Sequence, residues 1–311
     1  MATGIATPGG RMRLYGDCIP CQVTVRFRDV MQVVEDEERR LELAGLVVRK
    51  VSELLEAGIN DPPHLATELH RFVKRLLRVD DIYRKAKARE CSAALSIYPG
   101  LQGFVESLGV DKQRVEAAIR IAVAGNALDL GVSGYSPPPP ERIAEEALRK
   151  AVHGGLGEAA ELLLKARRVA VIMDNCGEAV LDRVLGDVLR SLGKEVVAVV
   201  KGGAFQNDIT IAEARRAGLY DSFDHVVSTG SDAASVFLDE VSNEVLSILR
   251  SADVIVAKGM ANFEYLTEVE KRLAKPLIYL LVAKCRPIAK ELGVPQGSYT
   301  VRVYSPDSRF L

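Results

Sequence analysis

The sequence predicts an α/β protein. A helical N-terminal region over residues 1–150 packs on a Rossmann-like, mostly parallel α/β domain over 151–311. Three observations carry that reading. Six apolar runs rich in Val and Ile lie at 169–173, 196–200, 225–228, 254–257, 277–283 and 299–304. They lack polar alternation, as strands buried on both faces do. Stretches long enough for helices separate most of them, as parallel βαβ units require. Before residue 168 no convincing strand pattern occurs, and apolar residues recur instead at helical spacing.

The elements follow in order. The first dozen residues, rich in Gly and Thr, read as a frayed leader, with Met12 a second possible start. Over 39–55, Leu41, Leu43, Ala44, Val47, Val48, Val51, Leu54 and Leu55 share a helical period, and Gly58 just past them suits a C-cap. Residues 65–77 and 115–124 behave alike, with Asp111 as the N-cap of the latter. Ser136 and the prolines at 137–140 cannot continue a helix and read as an extended connector. Helices at 141–152 and 156–166 lead into the first strand. Helices at 179–192 and 233–250 are long enough to cross over between strands.

Composition narrows the function. The chain has 311 residues, 48% hydrophobic and 27% charged, with 41 Lys+Arg against 42 Asp+Glu. That balance offers no basic excess for nucleic acid and no acidic bias towards disorder. No apolar run reaches the roughly 18–20 residues of a membrane span. With no signal-peptide core, a cytoplasmic location is expected. Five cysteines, an odd count without a secretion signal, argue against a disulfide framework, so mostly reduced thiols are expected.

In open α/β sheets, ligands bind beyond the carboxyl ends of the strands. The polar clusters that end the apolar runs should therefore converge on one edge. They supply carboxylate, amide and ammonium groups, a mixture suited to a hard metal ion and an anionic substrate. After the first strand, Asp174-Asn175 offers two hard oxygen donors for Mg²⁺, Mn²⁺ or a similar ion. The same pair also fits a helix N-cap. Gly177 lets the backbone approach a ligand, and Glu178 starts a helix whose N-terminus favours anions. Asp208 is either a second carboxylate ligand or the cap of a helix beginning near Ile209. Lys258 either pairs with a phosphate or is a surface charge. Asn262 either bonds to that phosphate or caps the next helix. Lys284 resembles Lys258 in its place at a strand end. Asn126 and Asp129 share one side of a helical turn. They either cap a cleft or mark a helix C-terminus between Gly125 and Gly131.

Cys18-Ile19-Pro20-Cys21 is half of a zinc site at most. A distant cysteine such as Cys285 could complete it; inert buried thiols are the alternative. The four histidines, His64, His70, His153 and His225, show no ligand spacing. No G-x-x-x-x-G-K-[ST], no G-x-S-x-G and no G-x-G-x-x-G after the first strand is present, which disfavours P-loop kinases, serine hydrolases and classical dinucleotide enzymes.

Seven segments in order resemble the metal-dependent damage-control phosphatase family, long described as domain of unknown function 89, in its compact prokaryotic-type branch with an early C-x-x-C. They are Asp17 to Cys21, Asp80 to Tyr83, Ala124 to Asp129, Asp174 to Glu178, Lys201 to Thr210, Lys258 to Glu264, and Ala283 to Cys285. Each is weak alone; together they span nearly the whole chain. Cys176 departs from a small Ala common in the family, and Ser231-Asp232-Ala233-Ala234 lacks a glycine expected after Gly230.

The resemblance implies one divalent cation (manganese, nickel, cobalt or magnesium) held by Asp174, Asn175 and Asp208. It places Asn126 and Asp129 over the same site, and it makes Lys258, Asn262, Lys284 and Gly177 candidates for binding the substrate phosphate. The activity it implies is hydrolysis of small phosphorylated metabolites, sugar phosphates or damaged metabolites among them, with no nucleic-acid or membrane partner. Asp174 and Asp208 could each be ligand only, or also nucleophile or base. Two other readings use the same fold. One is a non-catalytic metal- or nucleotide-binding protein. The other is an adenosyl-cofactor methyltransferase, disfavoured by the lack of a glycine-rich first loop, since fold alone does not decide function.

Overall fold

The computed structural model describes residues 12–128, 133–134 and 140–306. Five helices come first: α1 (Cys18–Met31), α2 (Glu37–Glu56), α3 (Pro62–Leu77), α4 (Arg84–Glu106) and α5 (Asp111–Gly125). Then follow α6 (Pro140–Arg149), β1 (Val152–Gly154), α7 (Leu156–Lys165), β2 (Arg168–Ile172), α8 (Cys176–Ser191) and β3 (Glu195–Val200). The short helices α9 (Ile211–Ala214) and α10 (Leu219–Ser222) precede β4 (His225–Ser228) and α11 (Asn243–Ser251). The chain finishes with β5 (Val254–Lys258), α12 (Met260–Leu273), β6 (Leu277–Val282), α13 (Arg286–Leu292) and β7 (Tyr299–Tyr304).

Among the described residues, seven strands form one sheet in the order β1-β7-β6-β5-β2-β3-β4. All pairs are parallel except β6 with β7. The missing polar alternation has a direct cause. Val169 and Val171 of β2 enter one core with α4, α5, α7 and α8, while Ala170 and Ile172 enter a second core with α11, α12 and α13. Both faces are covered, so both must be apolar. After β2 the chain turns to one side of the sheet through α8; after β5 it turns to the other through α12. The gap between those two strand ends is the topological switch point, where open α/β sheets hold their ligands.

The N-terminal helices start where side chains satisfy their first amides. Asp36 accepts from Arg39 N at 2.8 Å and starts α2, and Asp61 accepts from His64 N at 3.0 Å and starts α3. Both helices thus begin a few residues ahead of the apolar pattern that predicts them. Asp111 is the first residue of α5, not its cap; Val110 holds the cap position.

Three expectations are corrected. A strand does precede residue 168: β1 pairs with Tyr299–Val301, and the helix expected to reach 152 stops at Arg149. Three residues are too few to show a two-residue period. Gly154 is held at φ +97°, and a Cβ there would lie 2.1 Å from the Val301 carbonyl oxygen. The helix expected over 233–250 shrinks to α11, because Ser242 caps it and Ala234 N bonds instead to Thr67 Oγ1 at 2.9 Å. Finally, Cys91 and Cys176 are joined as a disulfide, with Cα atoms 5.8 Å apart, where reduced thiols were expected. Their separation of 85 residues leaves no local spacing to read; the packing of α4 on α8 brings them together. Cys18, Cys21 and Cys285 are free. The leader at 1–11 and the prolines at 137–139 lie outside the described residues. Among the described residues, no helix is long and apolar enough to cross a membrane.

Titration of the denatured, unreduced protein with a thiol reagent should therefore find three reactive thiols, rising to five after reduction. Five from the start would remove the α4–α8 cross-link.

Candidate active site

The carboxyl end of β2 is stitched to the segment after β3. Cys176 N donates to Asn207 O at 2.8 Å, and Ile209 N donates to Asp174 O at 2.9 Å. Asn175 and Asp208 thereby form an isolated antiparallel bridge, and Lys201 pairs with Thr210 beside it. This pairing brings Asp174, Asn175 and Asp208 to the wall of one cleft. Phe205 and Gln206 line it from the same segment, Met260, Ala261 and Glu264 from α12, and Cys18, Cys21 and Cys285 line it as well.

The Asp174 side chain is aimed by two amides. Asn126 Nδ2 and Asn175 Nδ2 each lie 3.0 Å from Asp174 Oδ2, and each also lies 2.9 Å from Glu178 Oε2. Asn126 closes α5, and its Oδ1 accepts from Val282 N at 2.9 Å. A backbone N–H can only donate, so that contact fixes which end of the amide points where. Asn175 stands at the N-cap position of α8 but makes no side-chain capping bond. With Nδ2 committed to two carboxylates, Oδ1 is the atom it can offer a ligand. The same carboxylate lies against Gly259, held at φ +78°, where a Cβ would come 1.9 Å from Asp174 Oδ2. The switch point is thus closed by a carboxylate on a glycine.

Asp208 does not cap a helix. Thr210 does, in a capping box with Glu213 that starts α9. Lys201 Nζ reaches 3.5 Å from Asp208 Oδ2 and donates to Ala233 O at 2.7 Å. Burial pushes the Lys201 ammonium down from its ordinary range, against the pull of Asp208 and Asp174.

The remaining sequence candidates lie elsewhere. Lys258 is fully enclosed: its Nζ donates to Ala122 O and pairs with Glu178 Oε1 at 2.7 Å and Asp182 Oδ1 at 2.9 Å. Burial opposes the charge, but Asp182 and Glu178 outweigh it and hold the ammonium above the usual lysine range. Asn262 is buried too. Its Nδ2 donates to Lys258 O at 2.8 Å and Met173 O at 3.4 Å, while its Oδ1 accepts from Ser235 Oγ at 2.8 Å. It joins the ends of β2 and β5 to the loop after β4. Gly177 faces α4, where a Cβ would meet Glu90 at 3.1 Å, so its smallness serves helix packing. Lys284 is buried at the end of β6; among the described residues lining the cleft, its neighbour Cys285 is present and Lys284 is not. Asp129 lies outside the described residues.

Three cleft groups had no assigned role or only a doubtful one. Burial pushes Glu264 up to about 8, with Asp61 adding to the effect. Burial likewise pushes the thiols of Cys18 and Cys285 up to about 11 and about 12. All three free cysteines share the cleft. Among the described residues, no three His, Cys, Asp or Glu side chains are arranged to hold a metal ion. Asp174, Asn175 and Asp208 are a different set, two carboxylates and an amide. Lys201 and Glu178 were the groups least visible in advance; their signal was only their place at the ligand edge.

A doubly covered sheet with hard oxygen donors at its switch point and a lysine beside them defines a Rossmann-like metal- and phosphate-handling class. The comparisons give the family. The model of the damage-control phosphatase ARMT1-like domain matches residues 14–300. The chain is 30% identical to a damage-control phosphatase of Archaeoglobus fulgidus over 94% of its own length and 99% of the relative's. It is also 30% identical to damage-control phosphatase PH1575 of Pyrococcus horikoshii, over 92% and 96%. The crystal structure of that P. horikoshii protein, described as a DUF89 family protein, superposes with a TM-score of 0.78 over 93% of this chain and 98% of that one, at 29% identity. This chain belongs to the damage-control phosphatase ARMT1-like family, a family of metal-dependent phosphatases acting on phosphorylated metabolites.

Two outcomes follow from the geometry. Gly259→Ala should displace the Asp174 carboxylate and lower stability by about 1–3 kcal/mol, read from urea unfolding; parental stability would mean that the contact is not tight. Lys258→Met should destabilise by about 3–5 kcal/mol, because two carboxylates lose their buried counter-charge. A variant of parental stability that fails to release phosphate would instead return Lys258 to the substrate.

Proposed function

We propose that this chain is a phosphomonoester hydrolase for small phosphorylated metabolites, sugar phosphates or damaged metabolites among them. In this reading it works with one divalent cation held by Asp174, Asn175 and Asp208. The observation that carries the reading is the convergence of those three side chains on one cleft wall, with Asp174 aimed by two amide N–H groups. The donor chemistry fits the ion. Two carboxylates and an amide oxygen are hard ligands, suited to manganese, magnesium, cobalt or nickel, and none is a soft sulfur. When bound, the cation would supply Lewis-acid polarisation of the phosphoryl group.

The rest of the work falls to the chain. Asn126 and Asn175 keep Asp174 from rotating, so the carboxylate is ordered before substrate arrives. Lys201 stands between Asp208 and the loop after β4, where its ammonium offsets the repulsion between the aspartates. No side chain caps α12 at its start, and its first residues Met260 and Ala261 line the cleft. Their backbone amides and the helix dipole suit the equatorial oxygens of a phosphoryl group. Phosphoryl transfer depends mainly on such positioning and charge.

The test is phosphate release from p-nitrophenyl phosphate by metal-stripped protein, supplemented with Mg²⁺, Mn²⁺, Co²⁺ and Ni²⁺ in turn, beside Asp174→Ala. Metal-dependent release that falls on the order of 100-fold in the variant is expected. Unchanged release in Asp174→Ala would sink the assignment. Tight nucleotide binding with no release under any metal would favour a non-catalytic binding protein.

A further inference from the structure

We propose that His70, backed by Asp29, is a positioning residue that sets the turn carrying Asp208 and so sets the affinity of the cleft for its divalent cation. The inference rests on the ligand assignment proposed above.

His70 on α3, Asp29 and Arg26 on α1, and Tyr83 form a buried polar cluster behind the cleft wall. Charge buried this deeply persists only when it is paired. Asp29 Oδ2 lies 3.2 Å from His70 Nδ1 and 3.3 Å from Arg26 Nε, and Tyr83 OH donates to Asp29 Oδ1. Burial works against the Asp29 charge, but Arg26 and the His70 hydrogen bond hold its carboxyl below the usual range. The imidazole itself is pushed down to about 4 by burial, so it is neutral near pH 7 and carries one N–H. Asp29 can only accept, so that hydrogen sits on Nδ1 and Nε2 is bare.

The bare nitrogen has a specific task. Gln206 N donates to it at 3.2 Å. Gln206 is held at φ +44°, a region that side-chain-bearing residues avoid. It is followed by Asn207 and Asp208 in a turn closed by Asp208 N donating to Phe205 O at 3.0 Å. The imidazole also packs edge-on against the Phe205 ring at 5.1 Å. One side chain thus grips two residues of the turn and stabilises the backbone angle that presents Asp208 to the cleft. A histidine that merely filled the core would need neither the bare nitrogen nor the left-handed residue facing it.

The experiment measures the Kd for Mn²⁺ by calorimetry on the metal-stripped full chain, with circular dichroism as the check on folding. His70→Asn keeps a group that can reach Asp29 but has no atom where Nε2 was; His70→Gln puts an amide oxygen there. His70→Asn should raise Kd about tenfold or more, the range seen for groups that orient ligands, while His70→Gln stays near the parent. Adding Gln206→Gly to His70→Asn should recover affinity, because glycine holds the turn angle unaided. Parental affinity in His70→Asn, or equal losses in Asn and Gln variants, overturns the proposal. Asp208→Ala runs alongside. If it loses Mn²⁺ while His70→Asn does not, His70 alone is refuted; if it retains Mn²⁺, the ligand assignment and this proposal fall together. Should His70→Asn not fold, ¹⁵N NMR of the parent decides: a hydrogen on Nδ1 with Nε2 bare is expected, and a hydrogen on Nε2 overturns the proposal.

Discussion

Two backbone hydrogen bonds, Cys176 N to Asn207 O and Ile209 N to Asp174 O, hold the end of β2 against the segment after β3. They join the start of α8 to a segment outside the helices and strands, where Asn175 and Asp208 form an isolated bridge. Once they are paired, Asp174, Asn175 and Asp208 have nowhere to face but the cleft. Gly259 packs directly against the Asp174 carboxylate. The site is therefore a consequence of main-chain geometry first and of side-chain chemistry second.

Behind that wall lies a second polar layer that never meets solvent. Glu178 and Asp182 flank Lys258, and the two asparagines that aim Asp174 also bond to Glu178. The orientation of the front carboxylate is thus coupled to a buried ion cluster through shared amides. Burial pushes Asp182 up, against the charge of Lys258 and with Glu178 adding to the rise. Such a cluster gives little net stability compared with apolar packing, yet it is costly to break one partner at a time. Its value here is a fixed arrangement of donors and acceptors around Asp174.

The sheet was legible because strands buried on both faces leave continuous Val and Ile runs, and the ligand edge was legible because turns at strand ends must carry polar residues. Asp174, Asn175 and Asp208 were visible for the same reason. Lys258 and Asn262 turn inward, which the sequence does not show, since a strand-end position says which edge a residue occupies but not whether its side chain turns outward or back into the core. Glu178, Asp182 and the Ala122 carbonyl hold Lys258 there, and Ser235 and the Met173 carbonyl hold Asn262, all remote in sequence. The sequence gives His70 no visible role because its partners, Asp29 and the Gln206 amide, lie 41 and 136 residues away. The strand β1 was too short to show a period, and the span before α11 was claimed by Thr67 of another helix.

Helix α3 reaches both loops that frame the cleft. Lys74 donates to Ala204 O and pairs with Asp232, Arg71 pairs with Asp232 and Glu240, and Thr67 receives Ala234 N. These contacts join residues separated by 130 to 169 positions. During synthesis, α3 is made long before anything it clamps exists. Loop closure over such distances must come before the contacts reward it, and contacts of this kind form late. The sheet has one pairing of similar reach, β1 with β7, while the cleft needs the early helices to lie over loops made much later. The cleft is therefore held together by contacts between parts of the chain that are synthesised far apart in time.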